Sequence, residues 1–400
     1  MTLLDRCDLC GGAGTDELLG LRTGRSLRSD RVIVPVDLVK LRCRTCGLVR
    51  SGSFADEGAI AAMYAHEYRG VGGEHLFYTR GGPISRSAVF ADWMIESMGA
   101  ERWRVARRVL EVGAGAGHLL GELARRFPAC QFEGIEPGEQ TAAAARDRGL
   151  RVANATPDRW NAAPYDIVYA VAVIEHVPSP AAFLSELRRL VRPGGAVYLM
   201  QPTQETPSYD VFFVDHLHHF AAVHVRAYAR RFGLRERGLV VGHPLMPNFS
   251  LHLLEAGADA CDDAIANQAD PPAGPAWCGP PDSGLCEASA HAVAADLRRL
   301  DERLADWRRR GRRIGVFGLF EAFALARAYS ALGETEIVCG LDDQPDRLEY
   351  AALGFPVCKP EECARHGVEE VVLTMNRIYY DQSRARMNAL GVSAHPLFAE

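Results

Sequence analysis

The segment Arg107-Arg-Val-Leu-Glu-Val-Gly-Ala-Gly-Ala-Gly-His118 constrains this chain more than any other. Val109 to Val112 reads as a buried strand, Gly113, Gly115 and Gly117 as a tight turn, and the residues from about His118 as a helix. Glycines belong in such a turn because a ligand must lie against bare backbone. The helix N-terminus beyond it presents free N–H groups and the positive end of a dipole, which suit a carboxylate or phosphate. The next strand, Gln131-Phe-Glu-Gly-Ile-Glu136, ends on an acid just before Pro137. A carboxylate at that strand end can accept both hydroxyls of a ribose.

The glycine turn alone fits a dinucleotide fold and a methyltransferase equally well. The elements that follow separate the two. A fourth strand starts at Tyr165-Asp166 and ends in Glu175-His176-Val-Pro. A helix over Ala181–Leu190, the turn Val191-Arg-Pro-Gly-Gly195 and a fifth strand, Ala196–Met200, come next. This order resembles the S-adenosylmethionine-dependent methyltransferases built on a seven-stranded Rossmann-like α/β sheet. The resemblance implies that Glu111, Gly113, Gly115 and Gly117 form the methionine end of the cofactor site. Glu136 and Pro137 would hold the ribose, and Asn154, Ala155 and Thr156 the adenine. His176 would lie near the transferred methyl, where Glu175 and His176 also have a plain pocket-shaping reading.

Four hundred residues accommodate two or three domains. A composition of 48% hydrophobic and 24% charged residues is that of an ordinary globular protein. The net charge of −6 gives no electrostatic case for nucleic acid as a partner. The chain has no apolar run long enough to span a bilayer and no basic, apolar leader at its start. A cytoplasmic protein acting on a small molecule is the expectation, and the sequence leaves the oligomeric state open.

Eleven cysteines are many for a reducing compartment. Four of them fall in two matched pairs, Cys7-Asp-Leu-Cys10 and Cys43-Arg-Thr-Cys46, each followed by glycine. Two such loops direct four thiolates to one point, the arrangement of a structural zinc site with no open coordination position. A redox dithiol needs one pair before a helix, not two. The remaining cysteines are scattered and read as small buried residues, and Cys261, Cys278 and Cys286 are too irregularly spaced for a second site.

The expected organisation is a zinc-binding domain over 1–70, the methyltransferase-like domain over 71–241, a linker with a helical segment over 242–310, and a small Rossmann-like α/β domain over 311–400. The linker carries an Ala-, Pro- and Gly-rich stretch and then Val293, Leu297, Leu300, Leu304 and Trp307 at helical spacing. The last domain reads as strand, turn and helix from Arg313. Leu319-Phe-Glu321 occupies its turn in place of a full glycine fingerprint, and Asp342-Asp343 ends its second strand.

Taken whole, this domain order resembles the sugar C-methyltransferases, which methylate carbon 3 of a nucleotide-linked 4-keto-6-deoxysugar in antibiotic deoxysugar biosynthesis. Their Tyr-His-Glu-His-Leu-x-Tyr-Phe-Ser motif is matched here by Phe213-Val-Asp215-His216-Leu-His-His-Phe-Ala221. The resemblance implies His216 as the base, Asp215 as its orienting carboxylate, and Tyr64 or Tyr68 as the donor to the enolate oxygen. The chain departs from the family at Phe213 and Val214, which replace a tyrosine and a histidine, and at Pro247–His252, which replaces a glycine-rich loop. The departures keep two other readings in play: O- or N-methylation of another metabolite, and a non-catalytic protein that only binds the cofactor. His216, His218, His219 and His224 also have a plain reading as polar residues of a strand-to-helix connection.

Overall fold

The computed structural model describes residues 6–53, 74–79, 82–257 and 284–399. Tyr64, Tyr68, Cys261, Cys278 and the Pro/Gly-rich stretch lie outside the described residues. Two compact units make up the chain. The first comprises residues 1–18, 40–210 and 216–286, and the second residues 19–39, 211–215 and 287–400.

The first unit is built on a seven-stranded sheet. Its strands are β1 (Arg108–Val112), β2 (Gln131–Glu136), β3 (Val152–Asn154), β4 (Tyr165–Val171), β5 (Val191–Pro202), β6 (Leu234–His243) and β7 (Met246–Ala256). Their spatial order is β3-β2-β1-β4-β5-β7-β6. The first five strands run parallel, and β7 pairs antiparallel with both β5 and β6. The inner strands read as continuous apolar runs because helices cover both faces of a parallel sheet. Period-two alternation then sends Leu110, Val112, Val168 and Ala170 into one core and Val109, Ile167 and Tyr169 into the other.

Helix starts follow from the local sequence. α1 (Arg86–Met98) is capped by Ser85, whose Oγ accepts from the Ala88 N–H at 3.1 Å. α2 (His118–Arg126) follows the glycine turn, and α3 (Glu139–Asp147) follows Pro137-Gly138. α4 (Pro180–Leu190) has Ser179 as its cap and proline at its first position, where the missing N–H costs nothing. Asp8 also docks there. Its carboxylate accepts from Ser179 Oγ, the Ala181 N–H and Tyr228 Oη at 2.8–3.0 Å.

The strand order reverses between β1 and β4, where β2 leaves on one side and β5 on the other. In open α/β sheets ligands bind at the carboxyl ends of the strands at such a point. The glycine turn after β1 and the Glu175-His176 segment after β4 both lie at this end.

The second unit holds a five-stranded, all-parallel sheet: β8 (Ile314–Phe317), β9 (Ile337–Leu341), β10 (Val357–Cys358), β11 (Glu370–Leu373) and β12 (Ser393–Pro396). Its order is β10-β9-β8-β11-β12. The acids that end β9 are engaged within the unit. Asp342 accepts from Tyr350 Oη at 2.8 Å, and Asp343 pairs with Arg386 at 2.9 Å. The expected helix around Val293–Trp307 spans Gly284–Arg309. Among the described residues no helix is long and apolar enough to cross a membrane.

Candidate active site

The glycine turn is held from two sides. Gly113, Gly115 and Gly117 all have positive φ, at 76°, 53° and 76°. A Cβ on Gly113 would come within 2.5 Å of Val173 Cγ2, so glycine there lets the segment after β4 close onto the turn. A Cβ on Gly115 would meet nothing within 4 Å. Open space therefore faces the bare backbone at Gly115, as a ligand lying on the turn requires.

Glu136 organises the rim of that space. Its carboxylate accepts from the Gly115 N–H at 2.9 Å and the Gly138 N–H at 2.8 Å, and so ties the end of β2 to the turn after β1. A carboxylate at this strand end is of the chemical type that accepts from ribose hydroxyls. Asn154 braces the same corner, its side-chain amide donating to the carbonyls of Glu136 and Pro137 at 3.1 and 2.8 Å, and Ala155 N–H also donates to Glu136 O.

Glu111 sits behind the turn. It is 4% exposed and accepts from Tyr169 Oη at 3.0 Å. Burial pushes its carboxyl up to about 8, against the hydrogen bond from Tyr169, and the nearby Glu136 adds to the rise. A carboxyl raised from an ordinary 4.5 favours the folded state when protonated. Its contribution is complete below pH 4.5 and is lost as pH climbs towards 8, a loss of about 4 kcal/mol. Glu111→Gln should therefore match the wild type in urea unfolding near pH 4.5 and exceed it near pH 8. An unfolding midpoint gap that does not widen with pH would contradict this placement.

Beyond the turn, Ile174–His176 forms a short 3-10 turn that brings Glu175 and His176 against His216. The His176 and His216 rings meet edge to face with centroids 4.6 Å apart, and the Leu217 N–H donates to Glu175 O at 2.6 Å. Donor atoms of Glu175, His176 and His216 lie within 4.8 Å of one another. His216 Nδ1 stands 2.6 Å from Asp210 Oδ1, and His219 Nδ1 stands 2.5 Å from Asp210 Oδ2. One buried carboxylate thus bridges two imidazoles. Each ring donates from Nδ1, which leaves the Nε2 lone pair of His216 as its basic position. Burial works against the Asp210 charge, yet the two rings hold its carboxyl well below the usual range. Burial lowers His219 to about 4, with Lys40 adding to the fall and Asp210 opposing it. It lowers His218 to about 3, helped by Arg50 and Lys40.

The expected pairing of His216 with Asp215 is corrected here. Asp215 accepts from the Ser29 N–H at 2.8 Å and from Ser29 Oγ at 2.9 Å, both within the second unit. Asp210, six residues before His216, takes the orienting position. Val214 and Asp215 form a turn that carries the Asp215 side chain to Ser29, so adjacency in sequence does not bring it onto the His216 ring. Asp210 and Lys40 do not stand out in the sequence, and His219 reads there only as a polar residue of the strand-to-helix connection. Only the acid at the head of the run Asp210-Val-Phe-Phe-Val-Asp-His-Leu-His-His219 offered a cue.

The four knuckle cysteines converge. Cys7 Sγ lies 3.5 Å from Cys46 Sγ, Cys10 Sγ lies 3.6 Å from Cys43 Sγ, and all four sulfurs fall within 4.8 Å of one another. Matching turns build the two loops, with Gly11 N–H donating to Cys7 O and Gly47 N–H to Cys43 O. The knuckle connects to the site through the chain. The strand Val49–Ser51 pairs with Leu38–Cys43 on one side and with His218–His219 on the other. His224 accepts from the Ala221 N–H at Nδ1 and donates from Nε2 to Cys46 O at 2.9 Å.

Comparison with known proteins bears on this geometry. Residues 89–239 match the family described as "Methyltransferase domain". The chain carries an S-adenosylmethionine-dependent methyltransferase domain. The curated relatives of this domain include the ubiquinone biosynthesis O-methyltransferase of Aeromonas salmonicida, 30% identical over 30% of this chain and 51% of that protein. They also include the trans-aconitate 2-methyltransferase of Mycobacterium ulcerans, 30% identical over 44% of this chain and 64% of that protein. The chain thus spans about half to two thirds of the length of these relatives. Among solved structures, an S-adenosylmethionine-dependent methyltransferase from Clostridium acetobutylicum matches 43% of this chain and 92% of its own, at 12% identity and a TM-score of 0.36. The methyltransferase domain contains the glycine turn, Glu136, Asn154, His176, Asp210, His216 and His219 within its matched residues.

Proposed function

We propose that this protein transfers a methyl group from S-adenosylmethionine to a carbon next to a ketone, with His216 as the base that removes the proton from that carbon. The observation that carries the reading is the buried Asp210–His216 pair beside the segment that packs on the glycine turn. When bound, the cofactor supplies an electrophilic methyl group. The residues present fit it: open space over Gly115, and the Glu136 carboxylate fixed at the rim of that space by the Gly115 and Gly138 N–H groups.

The protein's own tasks are positioning and proton transfer. A carbon acid must lose its proton before it can attack, and an imidazole titrating near neutrality suits that step. Asp210 fixes the His216 tautomer with Nδ1–H inward and stabilises the imidazolium that forms. Burial of Glu175, His176 and His216 keeps bulk water from quenching the carbanion. The acceptor we favour is a nucleotide-linked 4-keto-deoxysugar, on the strength of the domain order and the Phe213–Ala221 match. A second reading, transfer to oxygen, draws on the ubiquinone relative, an O-methyltransferase by name. Mass spectrometry of the product decides between them. On the carbon route the acceptor's α-hydrogen must also wash into solvent, and a product methylated on oxygen with no such exchange would overturn the first reading.

Glu136→Ala removes both ribose acceptors and frees the Gly115 N–H. Charge-assisted hydrogen bonds of this kind contribute about 1.5–3 kcal/mol, so cofactor affinity should fall about 10- to 100-fold in calorimetry. An unchanged Kd would mean that the ribose lies elsewhere.

We also propose that the four-cysteine cluster holds a structural zinc ion. A tetrahedral zinc–thiolate centre with bonds of about 2.3 Å has sulfur–sulfur edges of about 3.8 Å, close to the spacing present. Four thiolates leave no coordination position for substrate, which assigns the ion to folding.

A further inference from the structure

We propose that Cys339, Cys358 and His366 form a second metal site, within the C-terminal unit, that takes a thiophilic divalent ion such as zinc. Donor atoms of the three residues lie within 4.8 Å of one another, and the two sulfurs stand 3.1 Å apart. The fold gathers them from three elements. Cys339 lies in β9, and Cys358 ends the edge strand β10. Leu341 pairs with Cys358, so Cys339, on the same face of β9 as Leu341, shares a side of the sheet with Cys358. The chain then passes through the 3-10 segment Pro360–His366. The Glu362 carboxylate closes its start by accepting from the Lys359 N–H, and Gly367 ends it at a φ of 62°. This segment returns His366 to the two sulfurs. Arg313 fixes it there, donating to the His366 carbonyl from Nε and Nη2 at 3.3 and 2.7 Å.

The donor set decides what the cluster suits. Two thiolates and a neutral imidazole match zinc, whereas calcium and magnesium demand oxygen ligands. Zinc bonds of about 2.3 Å set a sulfur–sulfur edge of about 3.8 Å, so the two sulfurs need part by only about 0.7 Å. Two cysteines alone could equally close into a disulfide, but a disulfide has no use for the imidazole. Among the described residues the His366 ring makes no hydrogen bond, since Arg313 engages its carbonyl instead. Cys363 lies on the same segment and is buried in the same core, yet its sulfur is not one of the three donors. Three protein ligands leave a fourth position, and the half-buried His366 gives water access to it. The ion should therefore exchange more readily than one enclosed by four thiolates. When bound, it ties the two-residue strand β10 to β9 and to the segment that follows, and stabilises the unit in proportion to the free metal.

The test uses the full chain, kept under reductant and dialysed to constant zinc content, into which cobalt(II) is titrated. One cobalt per chain is expected to bind without displacing zinc, with sulfur-to-cobalt charge-transfer absorption and the visible bands of a tetrahedral site. His366→Ala removes a half-buried ligand and leaves the apolar core in place. It should weaken cobalt binding at least about 100-fold, since even the outer-shell partners of metal ligands are worth about 10- to 100-fold. Cys358→Ser should remove much of the charge-transfer intensity, and His366→Ala carries the test should that variant fail to fold. Added zinc should raise the melting temperature of the wild type and not that of His366→Ala. Three results overturn the proposal: cobalt that enters only by displacing zinc, wild-type affinity in His366→Ala, or a Cys339–Cys358 disulfide in the reduced protein by peptide mass spectrometry.

Discussion

Replacing His216 with alanine is expected to cut methyl transfer by about three orders of magnitude while cofactor affinity stays within about twofold. The two effects separate because the structure separates their causes. The cofactor turn depends on Gly113, Gly115 and Glu136, none of which bonds to His216 in the contacts above. The proton has no comparable acceptor once the imidazole is gone, since burial already suppresses protonation of His219. Asp210→Asn should cost less, about a hundredfold, because the amide oxygen still accepts from Nδ1 but no longer stabilises a cation. Single-turnover rates with calorimetry of cofactor binding check both variants. His216→Ala retaining near-wild-type turnover would remove it as the base and favour an acceptor oxygen that is already ionised.

The other large effect is expected from Cys43→Ser. Three thiolates and a hydroxyl hold zinc far more weakly than four thiolates, and an apparent binding energy of about 10–16 kcal/mol is at stake in small zinc units. Leu9 and Leu48 beside the cysteines pack into the core under the seven-stranded sheet, so losing the ion should loosen the two loops and their packing on that core. Metal analysis should fall from one zinc per chain towards zero, and proteolysis should cut first near the knuckle. Methyl transfer should fall too, although no cysteine touches the acceptor. The path is explicit: Val49 pairs with His219, His219 with Asp210, and Asp210 with His216. Full zinc content in Cys43→Ser, or wild-type turnover after its loss, would contradict this chain of support.

Much of this architecture is legible in the residues because local chemistry dictates it. Val109–Val112 followed by three glycines specifies strand and turn, and Ser179-Pro180 specifies a helix start, whatever surrounds them. The cysteine spacing places four sulfurs together by loop geometry alone. The partner of His216 is a different kind of question. Asp215 adjoins it in sequence and Asp210 does not, yet the loop from 210 to 216 returns Asp210 to the ring and sends Asp215 to Ser29. Period-two alternation puts Lys40 on the same face as Leu38, and both are fully buried, an uncommon place for a lysine. The short strand Val357–Cys358 escapes notice too, being only two residues long and paired to one neighbour.

The interleaving of the two compact units bears on how such a chain can be dissected. Residues 211–215 belong to the C-terminal unit, although Asp210 and His216 on either side of them belong to the methyltransferase unit. Tyr329 Oη donates to Phe212 O, and Leu27 N–H donates to Tyr329 Oη, so three stretches far apart in sequence share one hydroxyl. A gene split at residue 286 would separate 19–39 and 211–215 from residues 287–400 of the same unit. The two halves are bound to be inherited and swapped as a pair, and the stretch from Asp210 to His216 travels with both.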